Sequence, residues 1–395
     1  MTGMIFDALC LTLSLVFFWS TLLVLVGLFR KTRPFPKAER RLRFAILICA
    51  RNEERVIRLP IGSLLAARWP ADRREIIVIA DNCTDATAAF AREAGATVWE
   101  KTTPSSGKGD VLAWGVSRVL ARGGFDAIAV FDADNVASEI WFETVNDALA
   151  AGEAVVTGRR HASNARANVI SGWYAIYWGI INELSNRVRT NLGLSGKLTG
   201  TGFAFRLDAL GPDGWQTSTM VEDVEFTVQS NLAGHRIAYV PGADYADEQP
   251  VAVHYMWRQL CRWSTGGWEV VRRYTAPWIG ALVRRPTLRL FDSFFAILTG
   301  MSVAFILLFN VGSLAVRLAA GQAEATAFAF FGGIFFFVFA MGWITAAAAV
   351  ALSQAKGRPP VASILLFPVF SLILCATVLF SLVRPTRRWK PIPHG

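Results

Sequence analysis

The chain has 395 residues, of which 53% are hydrophobic, and its formal net charge at pH 7 is +10. This length favours more than one structural unit, and the apolar fraction is typical of a membrane protein that also carries a soluble unit rather than of one soluble domain. A positive net charge is compatible with nucleic-acid binding, but the placement of the basic residues argues against it. They cluster beside apolar segments, at 30–33 and 384–390, where a membrane surface attracts them.

Metal binding through sulfur or imidazole is not indicated. There are only four histidines, and the five cysteines are scattered without a pairing pattern, at Cys10, Cys49, Cys83, Cys261 and Cys375. The sequence therefore predicts reduced thiols and no zinc site.

The first element is an almost wholly apolar segment over residues 5–29. It exceeds the roughly 20 residues that cross a bilayer, lacks the basic start and the cleavage site of a signal peptide, and predicts a retained transmembrane helix within residues 1–30. The basic run at 30–43 places the end of this helix in the cytoplasm.

Short apolar runs then alternate with helix-like stretches between residues 43 and 250. The runs lie at 44–49, 76–79, 97–99, 127–131, 154–158 and 237–240, and the helix-like stretches lie at 55–68, 86–94 and 110–121. This alternation predicts an α/β unit with a mainly parallel sheet, in which ligands bind beyond the carboxyl ends of the strands.

Two carboxylates, Asp132 and Asp134, follow the run at 127–131. Because successive strand side chains alternate in direction, residues two apart leave on the same side and can share one divalent cation, Mg²⁺ or Mn²⁺, that bridges nucleotide phosphates. The alternative interpretation is a solvated turn that happens to carry two acids.

Two further polar sites follow strands in the same way. Asp81 is placed to contact a nucleoside, or else to cap the next helix, although Asp85 suits a helix cap better. Lys108 lies in a glycine-rich turn before a helix, where backbone amides and an ammonium favour phosphate, although an ordinary loop fits equally well.

The segment 168–189 is rich in aromatic residues and fits either a membrane-interface helix or a packed core helix, and the run 196–205 is rich in glycine.

Glu222 and Asp223 then open a helix. Acids at that place often only complement the helix dipole, but one of them could act as a general base toward a sugar hydroxyl.

Residues 251–289 are predicted to form amphipathic interface helices. On a helix, Gln259, Arg262 and Trp263 share one face, where a donor, a cation and a flat ring could hold a pyrophosphate and stack a sugar. The alternative is a purely interfacial role for this face, and both can hold together.

The remainder, 290–383, contains three apolar stretches that predict about three more transmembrane helices, at 290–316, 325–352 and 361–383. Pro368 is expected to kink the last of them. A basic tail follows at 384–395.

With Asp81, Asp132-Ala133-Asp134, Glu222-Asp223 and Gln259-x-x-Arg262-Trp263 in this order, the chain resembles the membrane-integrated family 2 glycosyltransferases, which include cellulose, hyaluronan and chitin-type synthases. The resemblance covers about residues 44–268. It implies a GT-A (Rossmann-like) cytoplasmic domain, inserted between transmembrane helices of a multi-pass inner (plasma) membrane protein, and a UDP-sugar donor.

The resemblance also implies roles for individual residues. Asp223 would be the catalytic base, Asp132 and Asp134 would bind the metal and the diphosphate, and Glu222 and Trp263 would contact the acceptor. Donor contacts are implied for the remaining motif residues and their neighbours, which are Arg51, Glu53, Asp81, Lys108, Gln259 and Arg262.

The sequence also departs from the family pattern. Ala80 stands where many relatives carry the first of two aspartates, and the gating-loop sequence of cellulose synthases is not evident. Three spans after a cytoplasmic domain would place the basic tail outside, against the positive-inside tendency, as in the similar one-plus-three layout of chitooligosaccharide synthases. Alternatively, the last apolar segment is re-entrant and the tail is cytoplasmic.

The main hypothesis is an inverting, metal-dependent enzyme that extends a β-linked polysaccharide or oligosaccharide from a UDP-hexose or UDP-N-acetylhexosamine, with room for an export or accessory subunit. The second hypothesis is the transfer of one sugar to a membrane lipid. A third, of another class, is a non-catalytic membrane scaffold or nucleotide sensor, against which the retained carboxylates argue.

Overall fold

The computed structural model describes residues 2–321, 325–353 and 357–387, and its central unit is one mixed sheet of eight strands. The strands are β1 (Phe44–Ala50), β2 (Arg74–Asp81), β3 (Thr97–Lys101), β4 (Ala127–Asp132), β5 (Val136–Ala137), β6 (Val155–Ala162), β7 (Phe203–Arg206) and β8 (Ile237–Asp247). Their order across the sheet is β3-β2-β1-β4-β7-β6-β8-β5.

Helices cover both faces of this sheet and continue into a separate helical part. The first helix, α1 (Thr2–Leu28), precedes the sheet and belongs to the helical part. The helices of the central unit are α2 (Arg58–Ala66), α3 (Thr87–Glu93), α4 (Lys108–Arg122), α5 (Trp141–Ala150), α6 (Val169–Gly179), a π-helix (Ile180–Asn186), α7 (Arg187–Asn191) and α8 (Glu222–Ala233). The later helices are α9 (Val253–Arg284), α10 (Leu288–Ala319), α11 (Ala325–Leu352), α12 (Val361–Leu365) and α13 (Phe367–Val383).

The predicted parallel arrangement is confirmed for the first four long strands. β1 pairs in parallel with β2 and β4, and β2 pairs in parallel with β3. The carboxyl ends of β1, β2 and β4 therefore lie at one edge of the sheet. The sequence did not predict β5 and β7, which are antiparallel to β8 and to β4 and β6, respectively.

Alternation along β1 explains why its residues are almost all apolar. Phe44, Ile46 and Ile48 pack into one core cluster with α2 and α5, whereas Ala45 and Leu47 pack on the other face against α4. A strand that is covered on both faces needs apolar side chains at successive positions. The apolar run in the sequence is thus the mark of a central strand.

β6 and β8 are longer than the sequence predicts, and both extensions contain charged residues. The two strands pair in parallel along their length, with a register shift between Thr157 and Arg159. In the added part, Arg160 forms a buried ion pair with Asp247 and donates to the Thr199 carbonyl at 2.6 Å. A buried charge is tolerated when it is paired and hydrogen-bonded, so hydrophobicity alone could not reveal these strand ends.

The aromatic segment at 168–189 is three consecutive helical pieces, α6, the π-helix and α7. Its aromatic side chains point inward. Tyr174 is fully buried, and Tyr174 and Trp173 pack against Phe370 of α13 and Trp263 of α9. The packing therefore favours the core-helix interpretation.

Within the described residues, three helical segments are long and apolar enough to cross a membrane, at Asp7–Leu28, Leu288–Ala319 and Phe335–Leu352. α1 and α10 run antiparallel, because Trp19 donates to Asp292 near one end of the pair and Arg317 contacts Asp7 near the other. The predicted bounds 325–352 coincide with α11.

The predicted third C-terminal span is not one continuous helix. The chain breaks at Leu366 into α12 and the 17-residue α13, with Pro368 in the first turn of α13, where proline is well tolerated. Seventeen residues are fewer than a crossing usually needs.

Both ends of the 361–383 segment lie against elements attached to the sheet. Near its beginning, Ser363 donates to the Val169 carbonyl of α6, and just beyond its end the Thr386 amide donates to Thr265 of α9. This geometry favours the re-entrant alternative, with both ends on the side of the sheet. Of the predicted basic tail, residues 388–395 lie outside the described residues.

A buried ion pair ties the helical part to the central unit. Asp292 of α10 is fully buried and accepts hydrogen bonds from Arg189 of α7, at 2.9 Å to Nε, and from the Trp19 indole at 3.0 Å. Breaking such a pair leaves an uncompensated buried charge.

We therefore expect Asp292→Asn to lower the free energy of unfolding by about 3 kcal/mol or more. Thermal unfolding of the detergent-solubilised protein measures the change. The matched control is Asp208→Asn, whose partner Arg206 lies in an exposed pair outside the apolar helices and which should shift the midpoint little. Equal shifts for the two variants would contradict a stabilising role for the buried pair of Arg189 and Asp292.

Candidate active site

A cavity of about 880 Å³ opens beyond the carboxyl ends of β1, β2 and β4. Eleven residues selected from the sequence line it, namely Arg51, Glu53, Asp81, Lys108, Asp132, Asp134, Glu222, Asp223, Gln259, Arg262 and Trp263. Residues separated by more than 200 positions thus meet at one place, whereas their individual roles stay predictions.

Lys108 lines this cavity and connects several of its groups. Its ammonium contacts the Asp132 carboxylate, donates to the Gly200 carbonyl at 2.6 Å and lies 3.7 Å from Glu222 Oε1. Burial lowers the pKa of Lys108, but the charges of Asp132 and Glu222 outweigh it and raise the pKa above its usual range. The lysine therefore stays charged and holds the ends of β4 and α8 together.

Asp134 differs in position from the expectation that both carboxylates project from one strand. β4 ends at Asp132, so Asp134 lies in the following turn, where its carboxylate accepts from the Asn135 side chain at 3.2 Å and the Glu248 amide at 3.4 Å. Both carboxylates nevertheless line the cavity.

The two carboxylates fit a divalent cation that is completed by its substrate. Among the described residues no cluster of three His, Cys, Asp or Glu side chains could hold a metal by itself. Mg²⁺ commonly binds through one or two carboxylates together with substrate phosphates and water. Asp132 and Asp134 supply the hard oxygen ligands that such a site requires.

Asp81 lies at the end of β2 and is only 5% exposed. It accepts from Ser105 at 2.6 Å and from the Asn82 side chain at 2.8 Å, and Arg51 lies 3.7 Å away. It caps no helix. The N-cap position of the next helix, α3, is Ala86, and it is Asp85 that accepts from the Thr87 amide at 3.0 Å, so the helix-cap alternative for Asp81 is wrong.

Glu222 and Asp223 occupy the first turn of α8, which packs tightly on the start of α4. A Cβ atom on Gly109 would lie 2.7 Å from Thr217 Oγ1 and 3.2 Å from the Glu222 Cβ, so only glycine fits. Burial raises the pKa of both acids, and that of Glu222 rises to about 7 despite the nearby Lys108 ammonium.

This shift predicts a pH-dependent contribution of Glu222 to stability. The native protein keeps the proton on Glu222 up to pH of about 7, whereas the unfolded chain loses it near 4.5, so the contribution is complete below pH of about 4.5 and is lost as the pH rises through 7. We expect Glu222→Gln to gain stability relative to wild type between pH 5 and pH 8.

Thermal unfolding at both pH values measures the effect. The control is Asp208→Asn, because Asp208 is exposed and its pKa is lowered, so it does not titrate in this window. A constant difference between wild type and Glu222→Gln across the window would show that Glu222 does not titrate there.

The predicted face of α9 points into the cavity. Arg262 donates to the Met220 carbonyl at 3.4 Å, just before α8, and the Trp263 ring stacks on Tyr177 with centroids 5.8 Å apart. The Gln259 side-chain oxygen is buried without a hydrogen-bond partner among the described residues. A buried acceptor in this state is satisfied when a ligand donates to it.

Three basic residues of the cavity were not selected from the sequence. Arg160 lies over the Trp178 ring at 3.8 Å, and Arg387 follows α13. The third is Lys197, whose backbone amide donates to the Asn186 side chain and whose carbonyl accepts from it. Burial and the charge of Arg189 lower the pKa of Lys197 to about 8. No local pattern marks these residues, because their partners are distant in the sequence.

Comparisons with known proteins agree with this geometry. The family described as "Glycosyltransferase like family 2" matches residues 41–266. A probable glycosyltransferase, YdaM of Bacillus subtilis, is 29% identical over 268 residues, which is 64% of this chain and 61% of that protein.

Two further relatives differ in the activity that their names state. A beta-monoglucosyldiacylglycerol synthase of Synechocystis is 26% identical, covering 62% of this chain and 50% of that protein. A poly-beta-1,6-N-acetyl-D-glucosamine synthase of Staphylococcus aureus is 24% identical, covering 58% and 55%. The chain thus matches about half to three-fifths of the length of these relatives.

One solved structure covers almost the whole chain. A mannosyltransferase of Pyrobaculum calidifontis, in complex with GDP-Man and Mn²⁺, superimposes with a TM-score of 0.63 at 16% identity, over 95% of this chain and 99% of that one. At this identity the likeness bears on the fold alone.

Proposed function

We propose, from the premise that this chain belongs to glycosyltransferase family 2, that it transfers a hexose or N-acetylhexosamine from a UDP-sugar to a hydroxyl acceptor with inversion and with the help of a divalent metal. The predicted family, enzyme class and GT-A-like α/β fold are confirmed. Three apolar helices make it a membrane protein, and we place the catalytic unit on the cytoplasmic side of the inner membrane.

The observation that carries the proposal is the convergence of the motif residues on one cavity. We assign Asp81, Arg51 and Glu53 to contacts with the nucleoside, and Asp132 and Asp134 to contacts with the diphosphate. Mg²⁺ or Mn²⁺ bound there would offset the charge on the leaving diphosphate.

The residues of α8 and α9 are suited to the acceptor side of the reaction. Asp223 would accept the proton of the acceptor hydroxyl. At the same time the hydroxyl oxygen would bond to the anomeric carbon, and the bond from that carbon to the phosphate oxygen of UDP would break. The guanidinium of Arg262 and the amide of Gln259 would steady the departing diphosphate. Trp263 and Glu222 would contact the acceptor.

Two acceptor classes remain, as they did from the sequence. The Gln-x-x-Arg-Trp motif and the poly-N-acetylglucosamine synthase relative support a growing β-linked glycan. The glucosyldiacylglycerol synthase relative and the apolar side chains of α10 and α13 in the cavity support a lipid.

A donor screen tests the proposal. Membranes that contain the protein are incubated with each common radiolabelled UDP-hexose and UDP-N-acetylhexosamine, and with GDP-mannose, in Mn²⁺ or Mg²⁺. We expect transfer from a UDP-sugar and read the product by mass spectrometry. Transfer from GDP-mannose alone would overturn the UDP assignment, and no transfer from any donor would overturn the proposed function.

A further inference from the structure

The catalytic cavity has a second arm that leaves the sheet and enters the helical part. Besides the carboxylates, its walls include Ala296, Ile297, Gly300 and Met301 of α10 and Leu374 and Val378 of α13. One space therefore joins the reacting groups to a helix long and apolar enough to span a membrane.

The arm follows α10 over a short stretch. The first and last α10 residues that line it, Ala296 and Met301, are five positions apart, which at 1.5 Å per residue is roughly 7 to 8 Å along the helix axis. Met301 comes close to α9 because Gly267 has no side chain, since a Cβ there would lie 2.4 Å from the Met301 methyl group.

The lining of this arm suits hydrocarbon better than sugar. Its α10 and α13 side chains are aliphatic or thioether, and the nearby Ser264 hydroxyl is already within 3.3 Å of Thr377 Oγ1. A glycan passing here would leave several hydroxyl groups without hydrogen-bond partners, which costs free energy for each group. An acyl chain would bury apolar surface instead.

We infer that the acceptor is a hydroxyl-bearing membrane lipid whose hydrocarbon tail occupies the arm between α9, α10 and α13. This inference rests on the proposed function and names the acceptor class of the same site. The tail anchors the lipid while its headgroup hydroxyl reaches Asp223, and one sugar is transferred per lipid. Specificity for chain length follows from the arm and not from the sugar site.

The test fills the arm without disturbing the fold. A Cβ atom at Gly300 meets no atom within 4 Å, so Gly300→Leu adds its side chain to the arm and replaces a helix-destabilising residue. Gly332→Leu is the matched control, because Gly332 lies in α11, is exposed, does not line the cavity and also has open space around its Cβ position.

The purified full chain in phosphatidylcholine nanodiscs is given the active donor with dioleoylglycerol or C18 ceramide, and with dibutyrylglycerol or C2 ceramide as short-chain counterparts. Wild type and Gly332→Leu should prefer the long-chain form of one acceptor. Gly300→Leu should reduce transfer to that form at least tenfold and leave transfer to the short-chain form and donor hydrolysis unchanged.

Three results would overturn the inference while leaving the glycosyltransferase function intact. The first is equal transfer to the long-chain lipid by Gly300→Leu and Gly332→Leu. The second is a wild-type protein that consumes the donor but glycosylates neither lipid class. The third is a wild-type protein that extends a β-glycan primer, with this extension blocked in Gly300→Leu. Failure of the proposed function is distinct, because wild type would then consume no nucleotide sugar with any acceptor or with water.

Discussion

Replacing Asp223 by asparagine should lower sugar transfer by about 10²- to 10⁴-fold while leaving the affinity for UDP within about twofold of wild type. Asparagine has nearly the shape of aspartate but cannot accept the proton of the acceptor hydroxyl. Burial raises the pKa of Asp223, so the carboxylate is a stronger base than a solvated one. Its position at the start of α8, beside the Gly200 turn that Lys108 holds, fixes it in the cavity.

Initial rates of product formation and calorimetric titration with UDP separate catalysis from donor binding. Asp223→Glu tests position, because it restores the carboxylate but moves it by one methylene. Asp208→Asn is the control for an exposed carboxylate outside the cavity and should keep the wild-type rate. Turnover of Asp223→Asn within tenfold of wild type would remove Asp223 from the role of base.

The second large effect is expected at the metal site. Asp134→Ala should weaken Mn²⁺-dependent UDP binding at least about a hundredfold, because changes that only orient a metal ligand already cost about 10- to 100-fold. Asp134 carries one of the two carboxylates available to the ion, and among the described residues no third acidic, histidine or cysteine ligand completes a cluster that could replace it.

Calorimetric titration with UDP, in EDTA and in saturating Mn²⁺, measures this effect. Wild type should bind UDP tightly only with Mn²⁺, and Asp134→Ala should bind it weakly in both conditions. Asp81→Asn provides the contrast, since we assign Asp81 to the nucleoside and expect its loss to weaken binding in both conditions by a similar factor. Wild-type affinity that is unchanged by EDTA would contradict a metal at Asp132 and Asp134.

The sheet and its polar edge were predictable because their signals are local. Asp81 and Asp132 each follow directly an apolar run that forms a central strand, and the topology of parallel strands then brings them to one edge. The order of the four motifs supplied the rest of the site, since Asp223 and Arg262 carry no distinctive signal by themselves.

Other features depend on contacts between distant residues and leave no local trace. The end of β6 contains Arg160, which is stable there only because Asp247 lies opposite. Lys197 is fixed by Asn186 of the π-helix, and π-helices have no sequence period of their own. β7 falls in a glycine-rich run, where the pairing partners decide the conformation.

The last apolar segment shows the limit of composition as a guide. Residues 361–383 are as apolar as a transmembrane helix, yet α13 packs on α9 and α10, and its end leads back to the catalytic cavity. Composition marks the segment as apolar but does not show where its helix breaks or to which side it returns. Only the tertiary contacts show this.

The most direct test of the site is an experimental structure of the full chain with its donor and Mn²⁺, with the metal located by its anomalous scattering. We expect the anomalous peak between the Asp132 and Asp134 carboxylates and the diphosphate, the nucleoside beside Asp81, and the anomeric carbon facing Asp223. A nucleotide bound away from these carboxylates, or an anomeric carbon turned away from Asp223, would contradict the account.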